Sequence, residues 1–330
     1  MSLTSQSIVH RRSSIAEKAC FRFICSRLVP CLVLSILVLA PVASLSGAET
    51  PGSDMPQVLR VGFLSNVFSN VDTRDAQVAM ELWARELARG AGINKARVTL
   101  LHSREELATA IRNQSLDIVT LSALDYLKLR NSLPLVPAFV ASNHVGRARE
   151  QVLIVSRKSN IRTFDDLRGK TIDLLPEKRY EPALIWLETL LMNKGKGDLS
   201  SYFLKMNEAP NASQAIMHVF FRKVDAAVVN RGSFETSKMM NPQLSQQVMV
   251  IAESESILGD VSCIPKSISM QLKLAMENAA AHLHQSAMGR QMTALFQIDR
   301  VIPFRPAYLD GLTTLLENHS KLKQKQLKRR

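Results

Sequence analysis

Hydrophobic and polar positions follow two alternating periods along residues 58–300, and their order predicts an α/β fold. The clearest unit covers residues 215–231, where apolar residues recur at helical spacing up to Phe220 and Val224–Val229 is a mostly apolar run of strand length. Such a run is typical of a strand covered on both faces, and ligands of open α/β sheets bind beyond the carboxyl ends of the strands. Asn230 and Arg231, which follow this strand, are therefore candidate ligand contacts.

The amino-terminal half contains the same alternation of strand and helix. Strands are predicted at Val58–Leu64, 98–101 and Leu116–Leu121, and helices at Ala76–Arg89 and Leu107–Arg112. Because the order is β-α-β-α-β, we expect parallel pairing with right-handed crossovers. Polar side chains that follow these strands are further candidate ligand contacts: Ser65, Asn66, Ser122 and Tyr126.

A second series of elements begins at residue 151. Strands are predicted at Gln151–Ser156, Thr171–Leu175 and Gln247–Ala252, and a polar loop at Pro176–Pro182 precedes a helix from Ala183. Arg179 and Tyr180 lie in this loop. Arg179 and Arg231 are the best candidates for contacts with an anionic ligand, because a guanidinium offers a planar pair of hydrogen-bond donors to a carboxylate or phosphate. Three later helices need a sheet to pack on and are assigned to the first half: residues 269–284, 287–296 and 306–320.

These two series predict two lobes that face one cleft. Residues 58–145 together with 255–320 are expected to form the first lobe and residues 146–254 the second, with a basic tail at 321–330. The chain has 330 residues, which is enough for two lobes with their own cores.

The net charge of +13 is concentrated at the two ends of the chain. The first 48 residues and the last ten hold most of the excess, so no basic binding face is indicated and a nucleic-acid partner is not expected. Residues 1–48 also combine a basic start, an apolar run from Leu28 to Leu45 and small residues before Glu49, which is the layout of a secretory signal. We expect cleavage and a periplasmic protein; retention as a membrane anchor is the alternative.

Catalytic, metal and cofactor signals are weak in this sequence. Cys263 is the only cysteine after the signal segment, and no recognisable histidine motif accompanies it, so a cysteine enzyme is a minor hypothesis. His282 and His284 are two residues apart and make a poor metal pair on a helix. Glycine-rich phosphate loops are missing, which argues against a nucleotide. No catalytic residue, metal or cofactor is therefore expected.

Several phrases of the sequence resemble one family of proteins. Residues 161–171, Ile-Arg-Thr-Phe-Asp-Asp-Leu-Arg-Gly-Lys-Thr, are similar to a conserved turn of type 2 periplasmic solute-binding proteins. Residues 224–230 and 251–254 resemble segments of the phosphate, phosphite and phosphonate binding components of ABC transporters, and residues 116–126 resemble the first-lobe strand and binding turn of that family. The likeness covers roughly residues 58 to 300.

The resemblance implies a type 2 periplasmic-binding-protein architecture, with each lobe a mainly parallel sheet flanked by helices and a two-segment hinge between them. Tyr126 matches the family's first-lobe aromatic residue. The family's Ser-Thr-Ser-Gly loop for a phosphonate falls on residues 179–182, where this chain has Arg-Tyr-Glu-Pro. An acidic residue that often follows the second-lobe strand is replaced by Arg231, which suggests an anionic group at that point.

Three functions remain open from the sequence. The chain is expected to be a monomer that captures a small, anionic ligand such as a phosphonate or another oxyanion and presents it to an ABC permease. The same fold could instead sense a ligand for a membrane receptor or kinase, without transport. An enzyme with Cys263 as nucleophile is the third hypothesis.

Overall fold

The computed structural model describes residues 55–67, 73–142, 150–295 and 298–328. The segment Gly52–Arg330 forms one compact unit, whereas the expected signal segment lies outside the described residues. Within the described part of the chain, no helix combines the length and the apolar character needed to cross a bilayer.

The described residues form eleven strands and eleven α-helices. The strands are β1 (Val58–Leu64), β2 (Lys95–Leu101), β3 (Ile118–Ser122), β4 (Leu135–Ser142), β5 (Gln151–Ser156), β6 (Thr171–Leu174), β7 (Lys205–Glu208), β8 (Ala226–Asn230), β9 (Val248–Glu253), β10 (Asp260–Pro265) and β11 (Arg300–Pro303). The helices are α1 (Thr73–Gly90), α2 (Arg104–Arg112), α3 (Ala123–Leu129), α4 (Glu177–Asn193), α5 (Leu199–Tyr202), α6 (Ala212–Phe220), α7 (Arg231–Met240), α8 (Gln243–Gln247), α9 (Met270–His282), α10 (Ala287–Leu295) and α11 (Asp310–Leu327).

Six strands form the first sheet, in the order β11-β4-β10-β3-β1-β2. The parallel pairing predicted for the first three strands is confirmed, because β1 pairs in parallel with both β2 and β3. β10 then runs antiparallel between β3 and β4, and β11 runs antiparallel to β4. The sequence pattern missed β11, a four-residue edge strand with a single buried side chain, Val301.

Five strands form the second sheet, in the order β7-β6-β8-β5-β9. β6 pairs in parallel with β7 and β8, whereas β5 runs antiparallel to both β8 and β9. All six side chains of β5 are buried, which explains why this stretch had no polar alternation in the sequence. The bounds predicted for β5 are those observed.

Helix caps in the sequence position several of these elements. The side chain of Ser103 accepts a hydrogen bond from the backbone N–H of Glu106 and begins α2, as its spacing predicted. Asn211 caps α6 in the same way, by accepting from Gln214. α6 is followed by a tight corner in which Arg222 has a φ of 58°, and the chain then enters β8.

Three clusters of buried side chains hold the sheets and helices together. One lies between the first sheet and helices α1 and α9, and another between the second sheet and α6 to α8. The third is continuous from the first sheet to the second and includes Leu121, Leu153, Leu187 and Leu312. Since Leu187 is in α4 and Leu312 in α11, these two helices contribute to the core that both sheets share.

The last helix differs from its expected place and length. α11 packs against α4, which belongs to the chain range of the second sheet, whereas the sequence assigned this helix to the first half. His319 Nε2 lies 2.6 Å from Glu188 Oε2 of α4, and Lys323 Nζ lies 3.8 Å from the same oxygen. The helix also continues through Leu327, so most of the expected basic tail is helical.

Candidate functional site

The two sheets are connected at edges where most of the predicted site residues lie. The chain leaves the first sheet at Ser142 and enters the second at Gln151; it returns from Glu253 to Asp260. β1, β3 and β4 end at the first of these edges, and β6, β7 and β8 end at the second. Carboxyl ends of strands are where α/β sheets bind ligands, so these two edges define the candidate cleft.

On the first sheet, Asn66 and Ser122 converge on one buried carboxylate. Asn66 Nδ2 donates to Asp125 Oδ2 over 2.6 Å, and Ser122 Oγ donates to the same oxygen over 2.6 Å. Arg104 Nε donates to Asp125 Oδ1 over 2.5 Å. Ser122 also caps α3 by accepting from the backbone N–H of Asp125. Asp125 was not among the predicted site residues, although its position three residues after a capping serine was a usable signal.

The electrostatics of Asp125 follow from these contacts. Burial by itself would raise the pKa of this carboxyl, but hydrogen bonds from Ser122, Asn66 and Arg104, together with the positive charge of Arg104, outweigh burial and lower the pKa below its ordinary value. Asp125 is therefore a buried anion that holds the turn after β1 to the start of α3. Tyr126 lies beside it and is 9% exposed; Ser65 is in the short 3-10 turn Ser65–Val67.

On the second sheet, Asn230 and Arg231 occupy the edge as predicted, but both have protein partners. Asn230 Oδ1 accepts from the backbone N–H of Ser233 and caps α7. Arg231 Nε donates to Glu150 Oε2 over 2.8 Å, its Nη2 donates to Glu253, and its Nη1 lies 4.0 Å from Glu235. An anion at Arg231 would thus meet a guanidinium whose charge is already balanced by carboxylates.

The expected loop at Pro176–Pro182 is wrong, because α4 begins at Glu177. Pro182 lies inside the helix and, because proline has no N–H, one backbone hydrogen bond is lost close to the amino end. The sequence pattern predicted that the helix begins only after this proline. Arg179 and Tyr180 therefore lie in the first turn of α4. Their position at a helix amino end still favours an anion nearby, since the unpaired N–H groups there carry partial positive charge.

Glu181 of α4 connects the second half of the chain to the first. Lys128 Nζ of α3 lies 2.6 Å from Glu181 Oε1, and Arg104 Nη2 of α2 lies 3.7 Å from Glu181 Oε2. These ion pairs join the start of α4 to the helices that follow β2 and β3. The cationic side chains Arg104 and Lys128 are therefore engaged by carboxylates, as Arg231 is.

A cavity of about 230 Å³ lies beside the second edge. Leu174 and Glu208, the last residues of β6 and β7, line it together with Leu184 of α4. Its wall is mainly apolar, with Asn207 and Glu208 as its polar residues. None of these residues was predicted from the sequence, because their convergence depends on the pairing of β6 with β7.

Two amide oxygens at the edges are shielded from solvent and accept no hydrogen bond from any described residue: Asn66 Oδ1 and Gln151 Oε1. Gln151 is the first residue of β5 and is 9% exposed. Sequence reasoning identified Asn66 but not Gln151, which read only as the start of a buried strand. Such oxygens are rare in folded proteins and call for a ligand or a water as partner.

Cys263 and the histidines are the remaining candidates for catalytic or metal chemistry. Cys263 is fully buried, and burial raises the pKa of its thiol, which disfavours the nucleophilic thiolate. Among the described residues, no group of three or more His, Cys, Asp or Glu side chains is arranged to hold a metal ion. His218 Nδ1 lies 2.7 Å from Asp173 Oδ2, on the α6 face of the second sheet.

Comparison with solved structures supports the two-sheet fold. PhnD1 from Prochlorococcus marinus, in complex with methylphosphonate, superposes with a TM-score of 0.60 at 14% identity, over 81% of this chain and 100% of that one. A binding protein component of an ABC phosphonate transporter from Pseudomonas aeruginosa gives a TM-score of 0.57 at 14% identity, over 82% and 98% of the two chains. The aliphatic sulphonate binding protein SsuA from Escherichia coli gives 0.50 at 14% identity, over 83% and 89%.

No curated protein matches the sequence. The sequence model described as "ABC transporter, phosphonate, periplasmic substrate-binding protein" matches residues 66–309, which is more than half of the chain and includes every strand of the two sheets except β1. The fold is that of the type 2 periplasmic binding proteins, and the members of this family are substrate-binding proteins rather than enzymes. The chain belongs to the family of periplasmic substrate-binding proteins of phosphonate ABC transporters.

Proposed function

We propose that this chain captures a small oxyanion of the phosphonate or phosphate type between its two sheets and presents it to an ABC permease. The observation that carries the proposal is the family match over residues 66–309, which includes most of the residues at both edges. The similarity in fold to a methylphosphonate-bound protein supports the choice of ligand class. Relay to a membrane sensor remains the alternative, and the test is whether deletion of the gene abolishes uptake of the ligand or only a response to it.

The mechanism we propose is closure of two lobes. The strands divide as residues 58–145 with 255–320 in one lobe and residues 146–254 in the other. The exception is α11, which packs against α4 of the second lobe. Two crossings connect the sheets, so the lobes can rotate about them. A ligand that touches both lobes only in the closed form stabilises that form by its additional contacts.

The ligand contacts we propose come from both edges. Ser65, Asn66, Ser122 and Tyr126 would contribute from the first lobe, and Arg179, Tyr180, Asn230 and Arg231 from the second. The amino end of α4 is the preferred place for the charged oxygens of the ligand. Its backbone N–H groups carry partial positive charge that no carboxylate has to neutralise, and α4, with 17 residues, is long enough to have a helix dipole. Arg231, whose charge is compensated, would then stabilise the ligand less than a free arginine.

We also propose that the protein is exported as a monomer, with residues 1–48 removed as a signal. Family membership supports a location outside the cytoplasmic membrane. Mass spectrometry of the exported protein should find Glu49 near its amino end, and an intact amino terminus would contradict cleavage.

A thermal-shift series tests the ligand class. Methylphosphonate, phosphite and phosphate are added to the chain from Glu49 onward, which leaves the compact unit Gly52–Arg330 complete. A ligand at 100 times its Kd should stabilise the folded state by about 2.7 kcal/mol. Tyr126→Phe removes one hydroxyl at the first edge and should weaken binding about tenfold, whereas Tyr308→Phe, outside the proposed site, should not. Equal affinities for both variants would remove Tyr126 from the site.

A further inference from the structure

Two side-chain oxygens at the cleft edges have no donor among the described residues. Asn66 Oδ1 follows β1 of the first sheet, and Gln151 Oε1 begins β5 of the second. Each of these atoms is shielded from solvent, so bulk water does not compensate the loss of its hydrogen bond. They therefore differ from the other polar groups of the cleft, such as Asp125, Asn230 and Arg231, whose partners are protein atoms.

The backbone of Gln151 is held in place on both sides. Its N–H donates to Ser254 Oγ over 2.8 Å, and its carbonyl oxygen accepts from the backbone N–H of Ser254 over 2.9 Å. It stands opposite Asn230, at the edge where the chain enters the second sheet. Because side chains alternate along a strand, Gln151 lies on the same face as Leu153 and Val155, which pack in the core shared by both sheets.

The orientation of Asn66 follows from its neighbour. Nδ2 donates to Asp125 Oδ2 over 2.6 Å, and a flipped amide would instead place its oxygen against that carboxylate. Oδ1 is therefore an acceptor. Because the described cations at this site, Arg104, Lys128 and Arg231, are bound to carboxylates, a ligand meets unused acceptors rather than unused side-chain cations.

We propose that Gln151 determines specificity by accepting a hydrogen bond from a protonated oxygen of the ligand, and that Asn66 Oδ1 is a second acceptor for a ligand that carries a second acidic proton. A phosphonate or phosphate that keeps one acidic proton offers such a P–OH donor, whereas a sulfonate of the same shape has only acceptor oxygens. A bound sulfonate would leave the acceptor oxygens of the site without a hydrogen-bond donor, and a site built this way discriminates against a ligand that lacks the donor. The inference rests on the proposed function, since it concerns which oxyanion the same cleft selects.

Calorimetric titration of methylphosphonate and methanesulfonate at about pH 6, where phosphoryl groups keep a large share of their last proton, tests this directly. The wild-type protein should prefer methylphosphonate by at least about tenfold, the value of one good hydrogen bond. Gln151→Leu should reduce that preference to about threefold or less, because it removes an acceptor. The melting temperature of the free variant should be unchanged or higher, since a buried amide without a partner has been replaced by an apolar group. Gln214→Leu, at an exposed position on α6, is the control and should leave the preference intact.

The other outcomes overturn the inference in distinguishable ways. If the wild-type protein binds both anions equally, the site does not distinguish a protonated ligand from an unprotonated one. That result contradicts the inference without the need for a variant, and it leaves the proposed function standing. If Gln151→Leu keeps the preference of the wild type, the assignment is wrong. If that variant melts lower or fails to fold, Gln151 has a structural partner and the assignment is wrong as well. A wild-type protein that binds neither anion, nor phosphate, overturns the proposed function and the inference with it.

Discussion

Arg231 Nε donates to Glu150 Oε2 over 2.8 Å and thereby ties the residue that follows β8 to the residue that precedes β5, where the chain enters the second sheet. Glu253, where the chain leaves that sheet, binds the same guanidinium. One arginine thus joins both crossings between the sheets, and its side chain is only 14% exposed. The position that the sequence suggested for an anion contact is also a structural clamp.

Arg231→Ala should therefore destabilise the free protein as well as weaken ligand binding. The side chain of Glu150 is 8% exposed, so removal of this partner leaves a largely buried carboxylate less well compensated, with a loss of about 3 kcal/mol. Urea unfolding of the ligand-free protein measures the change. Lys238→Ala, which breaks a more exposed pair with Glu235, should cost less than about 1 kcal/mol. Equal losses in the two variants would show that Arg231 is an ordinary surface arginine.

The ionised carboxylate of Asp125 should make the stability of the first lobe depend on pH. Its pKa is lowered in the folded state, so its contribution is fully present above the ordinary value of 3.8 and is lost as the pH falls through the folded pKa. Asp125→Asn should therefore cost about 2 kcal/mol near pH 7, and the difference from wild type should shrink below about pH 4.

Unfolding curves collected from pH 7 to pH 2 check this dependence. Glu317→Gln is a suitable control, because Glu317 forms an exposed pair with Lys321 at 3.8 Å and should change little at any pH. A pH-independent difference between Asp125→Asn and wild type would mean that the charge of Asp125 does not stabilise the fold.

The carboxyl end of α11 should contribute much less to stability than its buried first turns. Leu312 is fully buried in the core shared by both sheets, and Leu312→Ala should cost about 2–5 kcal/mol. Deletion of residues 321–330 removes the solvent-exposed Lys321 and a long contact between Lys323 and Glu188, and should cost under about 1 kcal/mol without changing ligand affinity. Calorimetric melting of the two variants makes the comparison. A larger loss from the deletion would show that the helix end, rather than its core face, holds α11 to α4.

Local patterns in the sequence predicted much of the fold. The buried run at β5, the cap at Ser103 and the αβ unit ending at Asn230 each depend on residues close in the chain, and the structure has them at the predicted places. The start of α4 was wrong because Pro182 is tolerated near the amino end of a helix. β11 is too short and too exposed to give a periodic signal.

The partners within the site were harder to predict, since they come from distant parts of the chain. Glu150 lies 81 positions before Arg231, and Asn66 lies 59 positions before Asp125. The sequence identified Arg231 and Asn66 as polar residues at strand ends, but not the carboxylates that bind them. Gln151 gave no signal at all, because its significance lies in a missing partner rather than in its residue type.

The most direct test of the central claim is a calorimetric titration of methylphosphonate into the chain from Glu49 onward, repeated at several temperatures. We predict binding of one ligand per chain with a negative heat-capacity change, because closure of the two lobes buries apolar surface. Absence of binding by methylphosphonate, phosphite and phosphate alike would contradict the claim that this protein captures such an oxyanion between its two sheets.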